Sequence, residues 1–150
     1  MKADTPTTIG WREWIALPDL GLNRIKAKID TGARTSALHA FRLATHHIDG
    51  QLWVAFAIHP KQRRRDLEVE CEAPVFDQRI VTDSGGHKEE RYVIRTTITL
   101  GHHQWPIEMT LTDRDDMRFR MLLGRSAMKD RLIVDPSQSY LVRKPRKHLR

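Results

Sequence analysis

Arg24 to Asp30, RIKAKID, alternates without a fault: Ile25, Ala27 and Ile29 fall on one face, Lys26 and Lys28 on the other. A period of two is the signature of a half-buried strand. The same kind of segment recurs along the chain. Ile9–Leu17 is followed by the turn Pro18-Asp19-Leu20-Gly21. Leu43–Ile48 and Leu52–Ile58 flank Asp49-Gly50, a hairpin signal. Glu68–Val75 and Gln78–Val81 read as short strands before the turn Ser84-Gly85-Gly86-His87-Lys88. Arg91–Leu100 and Trp105–Leu111 are joined by Gly101-His102-His103-Gln104. Met121–Leu123 ends at Gly124, Ser126–Arg131 suits one or two helical turns, and Leu132–Val134 and Ser139–Val142 close the series. Many short strands with close turns predict an all-β barrel or sandwich. The expected division is a loosely held N-terminus over 1–8, one domain over 9–142 and a basic tail over 143–150.

At 150 residues, 39% hydrophobic and 30% charged, the chain can bury a full core as one globular domain. No run reaches the ~18 apolar residues of a membrane span, and no secretory leader is visible in MKADTPTTIG. A single cysteine, Cys71, excludes an internal disulfide framework and suits a reducing cytoplasm. The net charge is +7. Five basic residues and no acid fall in the last eight positions (Arg143, Lys144, Arg146, Lys147, Arg150), and a second cluster is Lys61, Arg63, Arg64, Arg65. These are either solvated surfaces or an attraction to a polyanion: nucleic acid, the ribosome or an acidic polypeptide. No aromatic residue interleaves with them, so a base-stacking platform is unsupported.

Chemistry concentrates in Lys28–Ala40, KIDTGARTSALHA, where the alternating strand runs into Asp30-Thr31-Gly32-Ala33. Asp-Thr-Gly alone is ordinary turn chemistry. It gains weight from Met121-Leu122-Leu123-Gly124-Arg125-Ser126 some ninety positions on, and from the Gly-Gly turn between them. Strand, Asp-Thr-Gly-Ala, then apolar-apolar-Gly-Arg before a helix, resembles the retropepsin family of aspartic proteases. The match is closer to the bacterial proteins labelled ATP-dependent zinc proteases, the RimB-type proteins associated with RimK-type glutamate ligases. Lys28–Ala40, Asp83–Thr97, Trp105–Thr112 and Met117–Tyr140 carry that resemblance.

The resemblance implies a retropepsin-like closed β-barrel or sandwich with one short helix after Leu-Leu-Gly-Arg. It implies an endopeptidase that trims poly-glutamate tails such as those on a ribosomal protein. Asp30 would be catalytic by position, with Thr31 ordering the site and Gly32 admitting substrate backbone. One motif per chain means that the paired carboxylates must come from two chains, so a homodimer is expected. Two such carboxylates share a proton, because like charges that close cannot both ionise. Asp83-Ser84-Gly85 is a weaker second candidate: it stands too near Asp30 in sequence, runs into polar residues, and fits a flap tip better.

The substrate-binding expectations are Ala33, Arg34 and Thr35 beside the cleft, Ser84, Gly85 and Gly86 at the flap tip, and Lys88, Arg91 and Arg120 around it. Arg118 is a further cation near them. Viral relatives carry acids where this chain has Arg34 and Thr35, and a guanidinium there favours carboxylates. Leu123, Gly124 and Arg125 are expected to support the site, and the acid that pairs with Arg125 in the viral family is missing. No metal or other cofactor is expected. There is no His-Glu-x-x-His and no Walker loop, and the pairs His46-His47 and His102-His103 would point to opposite strand faces. His39 is expected as a packed or surface histidine. The expected partners are a second copy, an acidic polypeptide, and the ribosome or a glutamate ligase through the tail. The competing readings are a non-enzymatic basic barrel that binds ribosome or RNA, and a metalloprotease.

Overall fold

The computed structural model describes residues 5–61, 66–82, 85–113, 118–142 and 144. Among these residues twelve strands, a 3-10 turn over Pro18–Leu20 and one α-helical turn follow in order: β1 Thr7–Ile9, β2 Arg12–Leu17, β3 Leu22–Asp30, β4 Ser36–His39, β5 Phe41–Ile48, β6 Gln51–Ile58, β7 Val69–Pro74, β8 Asp77–Thr82, β9 Lys88–Leu100, β10 His103–Thr112, β11 Met121–Gly124, α1 Arg125–Met128 and β12 Leu132–Val134. The chain is all-β with one short helix.

Seven strands form the main sheet in the order β10-β4-β11-β3-β2-β9-β8, and β10 also pairs with β9. That extra pairing closes six of them into a ring, which removes most free edges. Ile15, Leu17, Leu22, Ile25, Leu38, Ile94, Ile98, Leu100, Met109 and Leu111 are buried inside. A second sheet, β5-β6-β7, covers one side with Val54, Phe56 and Ile58. The parallel pair β1–β12 forms a third, small sheet.

Three segments differ from the sequence expectation. Ile9–Leu17 is not one strand: it breaks at Gly10, where a Cβ would meet the Gln138 carbonyl oxygen 2.3 Å away. β4 was not visible in the sequence, because all four of its residues are buried and no alternation marks it. Ser139–Val142 is not a strand. Its backbone N–H groups at Leu141 and Val142 donate to the carboxylate of Glu13 at 2.9 and 3.1 Å instead of to a neighbouring strand. Glu13 is fully buried and also accepts from the Gly10 N–H at 2.7 Å.

The helix covers Arg125–Met128, one turn, where two were allowed. Among the described residues no helix is long and apolar enough to cross a membrane.

Candidate active site

The site forms where the chain crosses itself. β3 ends at Asp30, the loop 31–35 leads away, and β4 returns beside β11. β11 lies between the two, parallel to β3 with Gly124 opposite Asp30, and antiparallel to β4 with Met121 opposite Leu38. The loop must therefore pass over the end of β11. This fixes the residue type at 124: a Cβ there would stand 2.6 Å from the Thr35 carbonyl carbon and 2.9 Å from the Ser36 nitrogen. The Gly124 N–H donates to Ser36 Oγ at 3.0 Å, locking the crossing.

Asp30 is half-buried at the strand end. Its Oδ1 accepts the Gly32 N–H at 3.0 Å, and its carbonyl accepts the Ala33 N–H at 3.2 Å. The first holds the carboxylate against its own turn, and the second closes the backbone of that turn. The loop is tied to α1 by two further bonds, Arg125 N–H to the Ala33 carbonyl at 2.9 Å and Ser126 N–H to the Arg34 carbonyl at 3.0 Å. Arg125 supplies a third tie through its side chain, whose Nη1 donates to the carbonyls of Gly32 at 3.2 Å and Thr31 at 3.4 Å. Among the described residues no acid pairs with Arg125, and backbone oxygens answer it.

Thr31, Gly32 and Arg34 are exposed, Ala33 and Thr35 half-buried. Thr31, Arg34 and Arg125 form the polar rim of a groove of about 550 Å³ whose apolar wall is Met128, Leu132 and Val134. Leu123 points into the core, fully buried. The three apolar wall residues carry no motif, and only the fold brings them beside Thr31 and Arg34.

The flap expectation falls on the hairpin β8–β9, paired from Asp77 opposite Val93 to Thr82 opposite Lys88. Gly85, Gly86 and Lys88 are exposed at its tip, and Gly86 takes φ +83°, which glycine adopts without cost. Ser84 and Asp83 lie outside the described residues.

Arg91 and Arg120 do not line an open cleft. They are only 9% and 4% exposed. Arg91 is drawn inward by Thr110 Oγ1 at 3.3 Å and the Glu89 carboxylate at 3.3 Å. Arg120 lies 3.4 Å from His39 Nδ1. His39 is 2% exposed and 3.7 Å from an Asp113 oxygen, so it is a packed histidine. Thr112 Oγ1 donates to the Glu89 carboxylate at 2.9 Å, completing a polar layer between flap stem and barrel. Arg118 is exposed. Of the second basic cluster, Arg63, Arg64 and Arg65 lie outside the described residues, as does the tail except Lys144.

His46 and His47 are exposed on β5, and no group of three or more His, Cys, Asp or Glu side chains is placed to hold a metal among the described residues. Burial pushes the Cys71 thiol up to about 11. It donates toward the Leu20 carbonyl at 3.4 Å, remote in the fold from the crossing.

Comparison with known proteins adds three findings. Residues 8–145 match the model of the RimB-like family, described as retropepsin-like aspartic endopeptidase RimB. Proteins named probable alpha-L-glutamate ligase from Desulfotalea psychrophila and Shewanella halifaxensis are 50% and 47% identical over 129 and 138 residues. The match covers 86% and 92% of this chain but 28% and 30% of theirs, so the chain spans less than a third of those relatives. A crystal structure of a protein of unknown function from Legionella pneumophila superposes with a TM-score of 0.77 at 25% identity, covering 93% of this chain and all of that one.

Proposed function

The chain belongs to the RimB-like family of retropepsin-like aspartic endopeptidases, and from that premise we propose that it hydrolyses acidic, glutamate-rich polypeptides as a homodimer. The observation that carries the reading is Asp30, half-buried at a self-crossing of the chain and held by the Gly32 N–H, with one such carboxylate per chain. A second copy supplies the other carboxylate. The groove beside the loop that follows Asp30, rimmed by Thr31 and Arg34, has Met128, Leu132 and Val134 on its wall, an apolar surface suited to covering by that copy.

The chemistry follows from the pair. Two carboxylates in contact share one proton. The ionised one takes a proton from a water held between them, and the water attacks the peptide carbonyl. The protonated one hydrogen-bonds the carbonyl oxygen as charge develops there. Proton transfer to the leaving nitrogen completes cleavage without a covalent intermediate. Arg125 holds the loop that carries the nucleophile's base. Gly85 and Gly86 give the flap a tip that can close over substrate and exclude water.

The acidic substrate is supported by Arg34, an exposed guanidinium on the rim of the groove, four residues from Asp30. The relatives' name points the same way: a ligase that joins glutamate residues and a hydrolase that parts them act on one polymer. Cytoplasmic action and ribosome contact through the basic tail belong to the same proposal.

The test is the chain-length distribution of poly-α-glutamate by mass, after incubation with wild type and Asp30→Asn, with EDTA throughout. Shortening by wild type alone is expected. Shortening by Asp30→Asn as well, or none by either, overturns the reading.

A further inference from the structure

The outward faces of β2 and β3 hold a surface that neither the paired carboxylates nor the groove uses. On β3, Ile25, Ala27 and Ile29 are buried, so Lys26 and Lys28 share the opposite face with Asp30. The register sets Arg12 opposite Lys28 and Trp14 opposite Lys26. Glu13 and Ile15 are the buried residues of β2 there, so Arg12 and Trp14 look outward too. The C-terminal segment widens this surface. The Tyr140 and Trp14 rings stack 6.2 Å apart. The Arg12 guanidinium lies 4.6 Å from the Trp11 ring and 4.9 Å from Tyr140. The ammonium groups of Lys26 and Lys144 stand 5.2 and 4.5 Å from Trp14. Among the described residues, none of Arg12, Lys26, Lys28 and Lys144 is paired with a carboxylate.

We propose that this strip is a docking track for the stretch of an extended acidic polypeptide that leads out of the Asp30 cleft. It rests on the reading of the site as a peptidase for acidic chains. Three observations converge on that occupant. The charge is complementary and unanswered. The track is continuous with Asp30, on the same face of the same strand. The spacing also fits: same-face residues on a strand repeat every ~6.6 Å, and an extended peptide presents alternate side chains at the same repeat. Every second carboxylate of a glutamate run therefore meets a cation of β3, Lys28 and then Lys26, with Arg12 alongside. Cations seated over rings are ordered in advance, which lowers the entropic cost of capture.

The rings argue against a nucleic acid on the same strip. Trp11 is engaged by Arg12 and by the edge of Phe119, Trp14 by Tyr140 and two lysines, and Tyr140 by Trp14 and Arg12. Single-strand binders instead present rings on which bases stack.

The experiment measures binding, not turnover. The full chain carrying Asp30→Asn is titrated into fluorescein-labelled glutamate oligomers of about 4 and about 12 residues, read by anisotropy. Lys26 lies ~13 Å along the strand from Asp30, and a four-residue oligomer centred on Asp30 reaches only ~7 Å to either side, so only the longer oligomer covers both cleft and strip. The longer oligomer is expected to bind more tightly. Adding Lys26→Ala and Lys28→Ala should weaken it by roughly three- to thirtyfold and narrow the gap between lengths. Lys28→Gln alone, at the most exposed of these positions, should show the same change at smaller size, which covers misfolding of the triple variant. Equal affinity for the two lengths, or affinity untouched by the lysine changes, overturns the proposal. So does tighter binding of a single-stranded oligonucleotide that the same changes abolish. If wild type fails to shorten poly-glutamate while this binding persists, the peptidase reading falls and the track stands. If cleavage holds and binding ignores the lysines, the track alone falls.

Discussion

Arg125 Nη1 donates to the Gly32 carbonyl oxygen at 3.2 Å, across a separation of 93 positions in the chain. A side chain at the start of α1 thus braces the loop that presents Asp30, and does so through the backbone. One nitrogen, Nη1, serves both the Gly32 and Thr31 carbonyls, and the rigid planar guanidinium places it there with less freedom than a lysine ammonium has.

Arg125→Ala should cost about 1 kcal/mol of stability, since these bonds are exposed, while kcat for poly-glutamate falls at least tenfold. Arg125→Lys should keep the charge and still lose most of the rate. Thermal melts beside steady-state kinetics give both numbers. An unchanged kcat in Arg125→Ala would show that the loop holds its geometry without the brace.

A carboxylate from each of two chains makes activity sensitive to mixing. Equal amounts of wild type and Asp30→Asn, left to exchange subunits at random, should leave wild-type pairs as about a quarter of all dimers, so activity at fixed wild-type concentration falls to about half. The rate at fixed wild-type concentration, followed as Asp30→Asn is added, checks this. A rate indifferent to the inactive chain would mean that one chain suffices.

Glu13 is expected to matter for stability and not for chemistry. Its carboxylate accepts three backbone N–H groups, those of Gly10, Leu141 and Val142, in a fully buried place. Glu13→Ala leaves them without an acceptor and should cost roughly 3 kcal/mol. Urea denaturation measures the loss, and limited proteolysis should show early cutting near residue 140. A loss under 0.5 kcal/mol would mean that water replaces the carboxylate at little cost.

Cys71 gives a pH dependence with a definite sign. Its thiol is raised to about 11 in the folded chain against 9.0 as the ordinary value. A raised folded value means the native state holds the proton more tightly. The stability it contributes is therefore fully present below pH 9 and is lost as pH climbs toward 11. At pH 8 the native thiolate fraction should be about a hundredfold below that of the unfolded chain. Iodoacetamide labelling in buffer and in urea measures the difference. Equal rates would show that the site is open to solvent.

The strands were legible wherever one face meets water, because Ile and Lys alternate there, as on β3. Burial on both faces removes that signal: β11 was still legible as an apolar run ending in a glycine, but β4 was not. Ser36-Ala37-Leu38-His39 has no polar side to mark a period, so β4 escaped notice. Gly10 reads as any glycine until Gln138 is packed against it. Glu13 falls on the core face of β2, where only the later meeting with the 141–142 backbone makes a carboxylate tolerable.

At the crossing, Gly124 was legible in an apolar-apolar-Gly-Arg run, and the fold allows no Cβ there; Asp30 was legible as the residue where an alternating strand runs into a turn. The partner of Arg125 was not, since a carbonyl oxygen belongs to every residue and leaves no trace in sequence. Arg91 and Arg120 misled for a related reason. Charge alone says "surface", and only the layer formed with Thr110, Glu89 and His39 turns them inward.

β1 and β12 run parallel, Thr7 opposite Leu132 and Ile9 opposite Val134. Tension drawn through the segments that flank the barrel would pull β1 by its leading end and β12 by its trailing end. Because the two strands point the same way, the forces oppose each other along the strand axis. Their hydrogen bonds then share the load at once, as rivets in a lap joint do, instead of opening one by one like a zip. The Glu13 contact to Leu141 and Val142 lies in series outside that joint and takes the strain first. Pulled in this direction, the barrel is closed by a latch and then by a shear joint, and single-molecule extension should record two yields, a low one before a high one.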